Sequence, residues 1–126
     1  HEALPYMRKQ KWGRIINIVG GAARNANGGT SGPVNAAVIN FSKVLSDEVA
    51  KDGITVNALH PATVPGLRRS GDPQKVAAYI NTQRPESAGR PVDTGNMVLF
   101  LSSDKAAAIT GQTIKVSGST ERGVFY

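Results

Sequence analysis

The sequence predicts an α/β fold built on a parallel sheet, and three observations carry that prediction. In residues 31–53, SGPVNAAVINFSKVLSDEVAKDG, the apolar residues Val34, Ala37, Val38, Phe41, Val44, Leu45 and Val49 recur at steps of three and four. That is the spacing of one helix face. Directly afterwards, Ile54, Val56 and Ala58 alternate with Thr55, Asn57 and Leu59, and β-branched residues lead, as in a strand. Upstream, residues 14–19 form a short, nearly continuous apolar run, RIINIV, the pattern of a strand buried on both faces. A helix between two such strands is a parallel crossover unit.

In chain order, residues 2–10 read as the last turns of a helix, with Leu4 and Met7 on one side and basic residues late, where the helix dipole favours them. Pro5 counts against such a helix unless it lies near a helix start or at a kink, and Trp12-Gly13 ends the segment. After the first strand, residues 20–33 are rich in Gly, Asn, Ser and Thr and form a loop at the strand's C-terminal end, where open α/β sheets place their ligands. The long helix is read over residues 33–52. Pro33 suits its first turn, Asp47 and Glu48 are surface residues, and Gly53 stops it in the left-handed position.

Residues 60–66, HPATVPG, leave the second strand as another loop, stiffened by two prolines. A short helical insert is expected over residues 67–84, then a connector over 85–91. Asp93 or Thr94 is placed to cap a helix whose apolar face is Met97, Val98, Phe100 and Leu101. A third strand follows at residues 112–116, and the apolar end Val124, Phe125, Tyr126 is expected to dock on a neighbouring surface. Right-handed crossovers make the three strands parallel neighbours. The result is a partial Rossmann-like, doubly wound sheet: three C-terminal strands with flanking helices, forming a single domain over residues 1–126.

Composition narrows the function. The 126 residues are 40% hydrophobic and 19% charged, without cysteine, so disulfide and thiolate chemistry are excluded and a cytoplasmic setting is expected. No apolar run is long enough to cross a bilayer. The net charge of +6 raises nucleic acid as a partner. Yet the basic residues are scattered, grouping only at Arg8-Lys9-Lys11-Arg14 and Arg68-Arg69, with no interleaved aromatics. They read as solvated charges or cofactor-phosphate contacts, Arg24 included. No metal-ligand spacing and no Ser-His-Asp arrangement is present. The chain begins at His1 rather than Met, which fits a piece of a longer protein.

The motifs RIINI, N-A-A-V-I-N-F-S-K-x-L, D-G-I-T-V-N-A-L-H-P, G-R-P, F-L-S-S-D and I-T-G-Q-T-I-K-V follow one another in this order. Together they resemble the C-terminal half of a short-chain dehydrogenase/reductase, from about residue 4 to residue 118. The resemblance implies an oxidoreductase that uses NAD or NADP in the complete protein, an active site at the strand ends and a homo-oligomer. The oligomer is expected through the 33–52 helix and the C-terminal strand and tail. In the family a Tyr acts as acid/base toward the substrate oxygen, a Lys one helical turn on lowers its pKa and holds the ribose, and a Ser hydrogen-bonds the carbonyl.

Aligned through A-A-V-I-N-F-S-K, the Tyr position falls on Ser31 and the Lys position on Asn35, and the Ser position, counted from RIINI, falls on Gly20. All three are substituted. Asn35 has no charge with which to depress a neighbour's pKa, and a serine hydroxyl is a poor proton donor near neutrality. Some divergent members carry a similar G-P-x-N-A-A segment in place of the Tyr–Lys pair, so residues 31–37 fit a subfamily pattern. The family's cofactor loop after the second strand corresponds to Pro61, Ala62, Thr63 and Val64. Pro61 and Val64 match it, Ala62 replaces a Gly, and Gly66 stands where a Thr is expected. The family's closing D-G-G appears as Ser117-Gly118-Ser119.

The glycine-rich phosphate fingerprint of the N-terminal dinucleotide-binding half is absent, so no cofactor binding and no activity are expected of this chain alone. Two readings stand for Ser31 and Asn35: a rewired polar pair near the nicotinamide, or a helix cap followed by a polar first-turn residue. His60 reads either as a general base beside the cofactor loop or as a packing residue. At the level of function, an oxidoreductase acting on an unidentified small molecule stands beside a non-catalytic relative serving oligomerisation or ligand sensing.

Overall fold

A computed structural model describes residues 2–24, 29–61, 74, 78 and 90–116. Its described elements are helix α1 (Leu4–Gln10), strand β1 (Gly13–Ile18), a 3-10 turn (Gly21–Arg24), helix α2 (Ser31–Val49), a second 3-10 turn (Ala50–Asp52), strand β2 (Ile54–Pro61), helix α3 (Pro91–Ser102), a third 3-10 turn (Asp104–Ala106) and strand β3 (Thr113–Val116). The strands form one parallel sheet in the order β1-β2-β3. Gly13 pairs with Ile54 and Ile18 with Leu59, while Ala58 pairs with Thr113 and Pro61 with Val116. The expected Rossmann-like α/β architecture is present.

β2 is the centre of the core, buried at every residue from Ile54 to His60. Its neighbours explain this: a strand lies on each edge, and helices cover its faces. Ile54 and Val56 join Leu45 and Val49 of α2 in the main apolar cluster, with Leu4 and Met7 of α1 and Ile15 of β1 packed against it. The buried side chain of Asn57 keeps its hydrogen bonds. Asn57 donates from Nδ2 to the Ile109 carbonyl at 2.8 Å and accepts the Gln112 N–H on Oδ1 at 3.1 Å, which ties the loop before β3 to the sheet.

Several boundaries and faces differ from those expected. α1 ends at Gln10 with Lys11 in the left-handed region at φ 55°, so Gly13 is free to open β1 instead of closing the helix. β1 is half-buried rather than covered on both faces, and Ile18 is 56% exposed, because β1 forms an edge of the described sheet. α2 runs over 31–49 rather than 33–52. Thr30 precedes it, and residues 50–52 tighten into a 3-10 turn before Gly53, at φ 71°, reverses the chain. α3 begins at Pro91, in the first-turn position proline prefers, with Arg90 as its N-cap, so Asp93 caps from the third helical position, as half of a capping box, rather than from the N-cap itself. From there Asp93 accepts the Arg90 N–H at 2.9 Å, and its hydrogen bonds from the Arg90 side chain and backbone hold its carboxyl below the usual range.

The apolar stripe of α2 divides into two. Leu45 and Val49 are buried and Val38 half-buried, with Ser42, Ser46 and Gly32 as their buried companions. Val34, Phe41 and Val44 are 63, 58 and 59% exposed, and Ala37 is exposed as well. Serine reaches the interior because its hydroxyl bonds the preceding helical turn: Ser42 Oγ donates to the Val38 carbonyl at 2.7 Å and accepts Asn17 Nδ2 at 2.9 Å. On α3 only Leu101 is buried; Met97 and Val98 are half-buried and Phe100 is exposed.

The basic group near the N-terminus is structural. Arg8 pairs with Glu48 at 2.6 Å and with Asp52 at 3.3 Å, and Lys11 pairs with Asp52 at 2.8 Å, so α1 is pinned to the end of α2. Arg14, its side chain 6% exposed, lies 4.8 Å over the Trp12 ring and reaches Asp104 at 3.4 Å, while Trp12 Nε1 donates to the same carboxylate at 3.0 Å. These residues surround the N-terminal ends of the strands. The reading of Arg8, Lys11 and Arg14 as cofactor-phosphate contacts is therefore set aside: their charges are spent on carboxylates at the far end of the sheet.

The Lys11 hydrogen bond, aided by the charges of Lys11, Arg8 and Lys51, holds the Asp52 carboxyl below its ordinary value. A carboxylate depressed in the folded state contributes stability above its unfolded pKa of about 4, and loses that contribution as pH falls through the folded value. Unfolding midpoints measured from pH 7 down to pH 2 are expected to fall more steeply in the parent than in Asp52→Asn. Parallel curves for the two proteins would remove Asp52 as the cause.

The insert expected over residues 67–84 lies outside the described residues except for Gln74 and Ala78, both helical. The tail from Ser117 and the basic pair Arg68-Arg69 lie outside them altogether. No helix among the described residues is long and apolar enough to cross a membrane.

Candidate active site

The C-terminal ends of the three strands lie side by side. Val19, just past β1, donates its N–H to the Leu59 carbonyl at 2.9 Å, and Pro61 pairs with Val116. Loops that leave this edge are where an open parallel sheet binds its ligands. The chain departs β1 through Gly20, turns through Gly21–Arg24 and returns as α2, whose first turn stands beside Gly20.

The structure brings Gly20, Ser31 and Asn35 together. Gly20 N–H donates to Asn35 Oδ1 at 2.6 Å, and Asn35 Nδ2 donates to the Ser31 carbonyl at 2.7 Å. Ser31 is the first residue of the helix rather than its cap, because the helix starts two residues earlier than its proline indicates. Asn35 lies one turn on, where an i to i+4 contact is built in. Its amide is neutral, so the site has hydrogen-bonding capacity but no charge from these three positions. Gly20 participates through its backbone, a role that inspection of side chains alone passes over.

Pro61 ends β2 at this same edge. Ala62, Thr63 and Val64 lie outside the described residues. Arg24 closes the first 3-10 turn, on the same side of the sheet. His60 is buried at 8% exposure inside β2, with Nδ1 2.7 Å from the Pro61 carbonyl oxygen. Among the described residues no group of three or more His, Cys, Asp or Glu is placed to hold a metal.

A parallel α/β sheet with its helix starts gathered at the strand ends defines the Rossmann-like class. Within that class the chain belongs to the short-chain dehydrogenase/reductase family: a family model described as enoyl-(acyl carrier protein) reductase matches residues 1–119. The chain is 39% identical to 3-oxoacyl-[acyl-carrier-protein] reductase FabG of Rickettsia felis, over 93% of this chain and 50% of that protein. It is 34% identical to nodulation protein G of Azospirillum brasilense, over 90% of this chain and 48% of that protein. Among solved structures it is similar to YwfH, an NADPH-dependent reductase involved in bacilysin biosynthesis. The TM-score is 0.80 and the identity 34%, covering 97% of this chain and 52% of that one. The chain thus spans about half the length of the curated relatives it matches.

Proposed function

We propose that the complete protein is an NAD(P)-linked oxidoreductase acting on a small carbonyl or alcohol compound, and that residues 1–126 alone are inactive. The observation that supports this best is the gathering of Gly20, Ser31 and Asn35 at the C-terminal edge of the sheet, in a chain of this family. NAD(P)H, when bound, supplies the hydride. Asn35 carries an Nδ2 donor beside Ser31 and Gly20, and Ser31 is a neutral hydroxyl residue. These neutral donors fit a ribose hydroxyl or a carbonyl oxygen, and they orient it.

Neither group relays a proton as a Tyr–Lys pair does, since an amide does not titrate and a serine hydroxyl titrates far from neutrality. The proton that completes the reduction therefore comes from outside these three positions. Pro61 and residues 62–64 are the proposed nicotinamide-side contacts. The cysteine-free composition agrees with work in the cytoplasm.

The complete protein is expected to bind NADH or NADPH saturably, with a rise in dihydronicotinamide fluorescence, while residues 1–126 give none. No binding of either nucleotide by the complete protein would end this reading.

The exposed Val34, Phe41 and Val44 favour a second reading, a non-catalytic relative kept for oligomerisation or ligand sensing. In both readings this face of α2 is the proposed contact with a second copy. Sedimentation is expected to give a multimer that Phe41→Glu dissociates; a monomeric parent removes the contact, and turnover on any carbonyl substrate removes the non-catalytic reading.

A further inference from the structure

The Asn35 carboxamide grips the backbone at the point where it leaves the sheet. Val19 N–H is still paired with Leu59, whereas the next N–H, that of Gly20, goes to Asn35 Oδ1 at 2.6 Å. The Ala23 N–H then turns back to the Gly20 carbonyl at 3.4 Å, closing the 3-10 turn. The other end of the amide donates to the Ser31 carbonyl at 2.7 Å. Its orientation is thereby set by chemistry, because a flipped amide would place donor against donor and acceptor against acceptor.

Space is divided between the same two residues. A Cβ added at Gly20 would stand 3.3 Å from Asn35 Nδ2 and 3.5 Å from both Cγ and Oδ1. The first separation is tighter than ordinary van der Waals contact, so even a methyl group makes the amide shift, and a larger side chain displaces it. The amide thus fills the room that a side chain at position 20 would need.

We propose that Gly20 and Asn35 form one coupled positioning unit, in which the Asn35 amide holds the turn over residues 20–23, at the end of β1, in the shape that faces the nucleotide. Asn35 acts through that turn, and the missing side chain of Gly20 is its complement. This rests on the reading of the strand-end site as an NAD(P) site.

A double-mutant cycle on the complete protein tests it, with Asn35→Ala, Gly20→Ala and their combination, and Gly20→Val as the larger probe. NADPH affinity by fluorescence titration and the thermal unfolding midpoint are read for each. Asn35→Ala is expected to weaken NADPH binding roughly tenfold with no change in its pH dependence. Each Gly20 variant should weaken binding markedly in the parent and little once Asn35 is already alanine, since coupled neighbours depart from additivity. Additive effects overturn the proposal. So does coupling seen in the unfolding midpoint with NADPH affinity unchanged, which would make the unit purely structural. A parent that binds neither NADH nor NADPH fells the functional reading and this one with it, whereas a parent that binds either, with additive variants, fells this one alone.

Discussion

Replacing Gly53 by alanine is expected to destabilise the protein by roughly 3 kcal/mol or more, the sum of left-handed strain and a steric clash. Gly53 links the end of α2 to β2 at φ 71° and ψ 20°, with its N–H on the Ala50 carbonyl at 3.0 Å. An L-residue pays for that conformation by crowding its own carbonyl. The surroundings add to this: a Cβ at Gly53 would be driven into the Lys11 carbonyl oxygen and lie 3.1 Å from its carbon. Backbone on both sides leaves little room to yield. Gly95 is the control, since nothing lies within 4 Å of a Cβ there and it sits inside α3. Gly95→Ala is expected to stabilise by about 0.5–1 kcal/mol. Denaturant midpoints of the two variants should therefore move in opposite directions, and a tolerated Gly53→Ala would show that the turn relaxes.

Truncating Asn57 is the second large effect. Its side chain is buried at 1% exposure in the central strand, where it serves the Ile109 carbonyl and the Gln112 N–H. Asn57→Ala leaves both backbone groups without that partner in a dry interior, a loss of roughly 2–4 kcal/mol. The damage should be local as well as global. Gln112 immediately precedes β3, and its carbonyl also accepts the Ala58 N–H at 2.8 Å, so the β2–β3 pairing depends on this junction. Hydrogen exchange in residues 109–116 is expected to accelerate more than in β1. Uniform acceleration, or a cost below that of an ordinary surface substitution, would show that water enters and takes over both bonds.

The fold was largely legible in the sequence because its signals are local. Gly53 had to turn the chain, the apolar run at β1 and the β-branched run at β2 had to be strands, and the intervening period of three to four had to be a helix. What local pattern could not assign was the partition of that helix's apolar stripe. Val34, Phe41 and Val44 share the periodicity of Leu45 and Val49, yet only the latter two meet the sheet. Serine took buried places at 42 and 46 because it satisfies its hydroxyl on the preceding turn, an option that hydrophobic counting does not register.

The site divides in the same way. The family motifs pointed to positions 20, 31 and 35, and to the substitution of each, from residue order alone. The bond from the Gly20 N–H to the Asn35 amide was not legible, since backbone groups carry no residue label and the two positions meet only when a loop folds back over the strand end. By itself, then, the sequence determined the parallel α/β class, the turn at Gly53, the family and the neutral character of Gly20, Ser31 and Asn35. Tertiary structure alone decided which apolar residues are interior, that the N-terminal basic residues answer carboxylates at the opposite end of the sheet, and that the Asn35 amide bonds the backbone at Gly20 and Ser31. The physical reason is range: dihedral preference and periodicity act within a turn or two of chain, whereas burial and hydrogen-bond partnership are settled by whichever distant segment packs alongside.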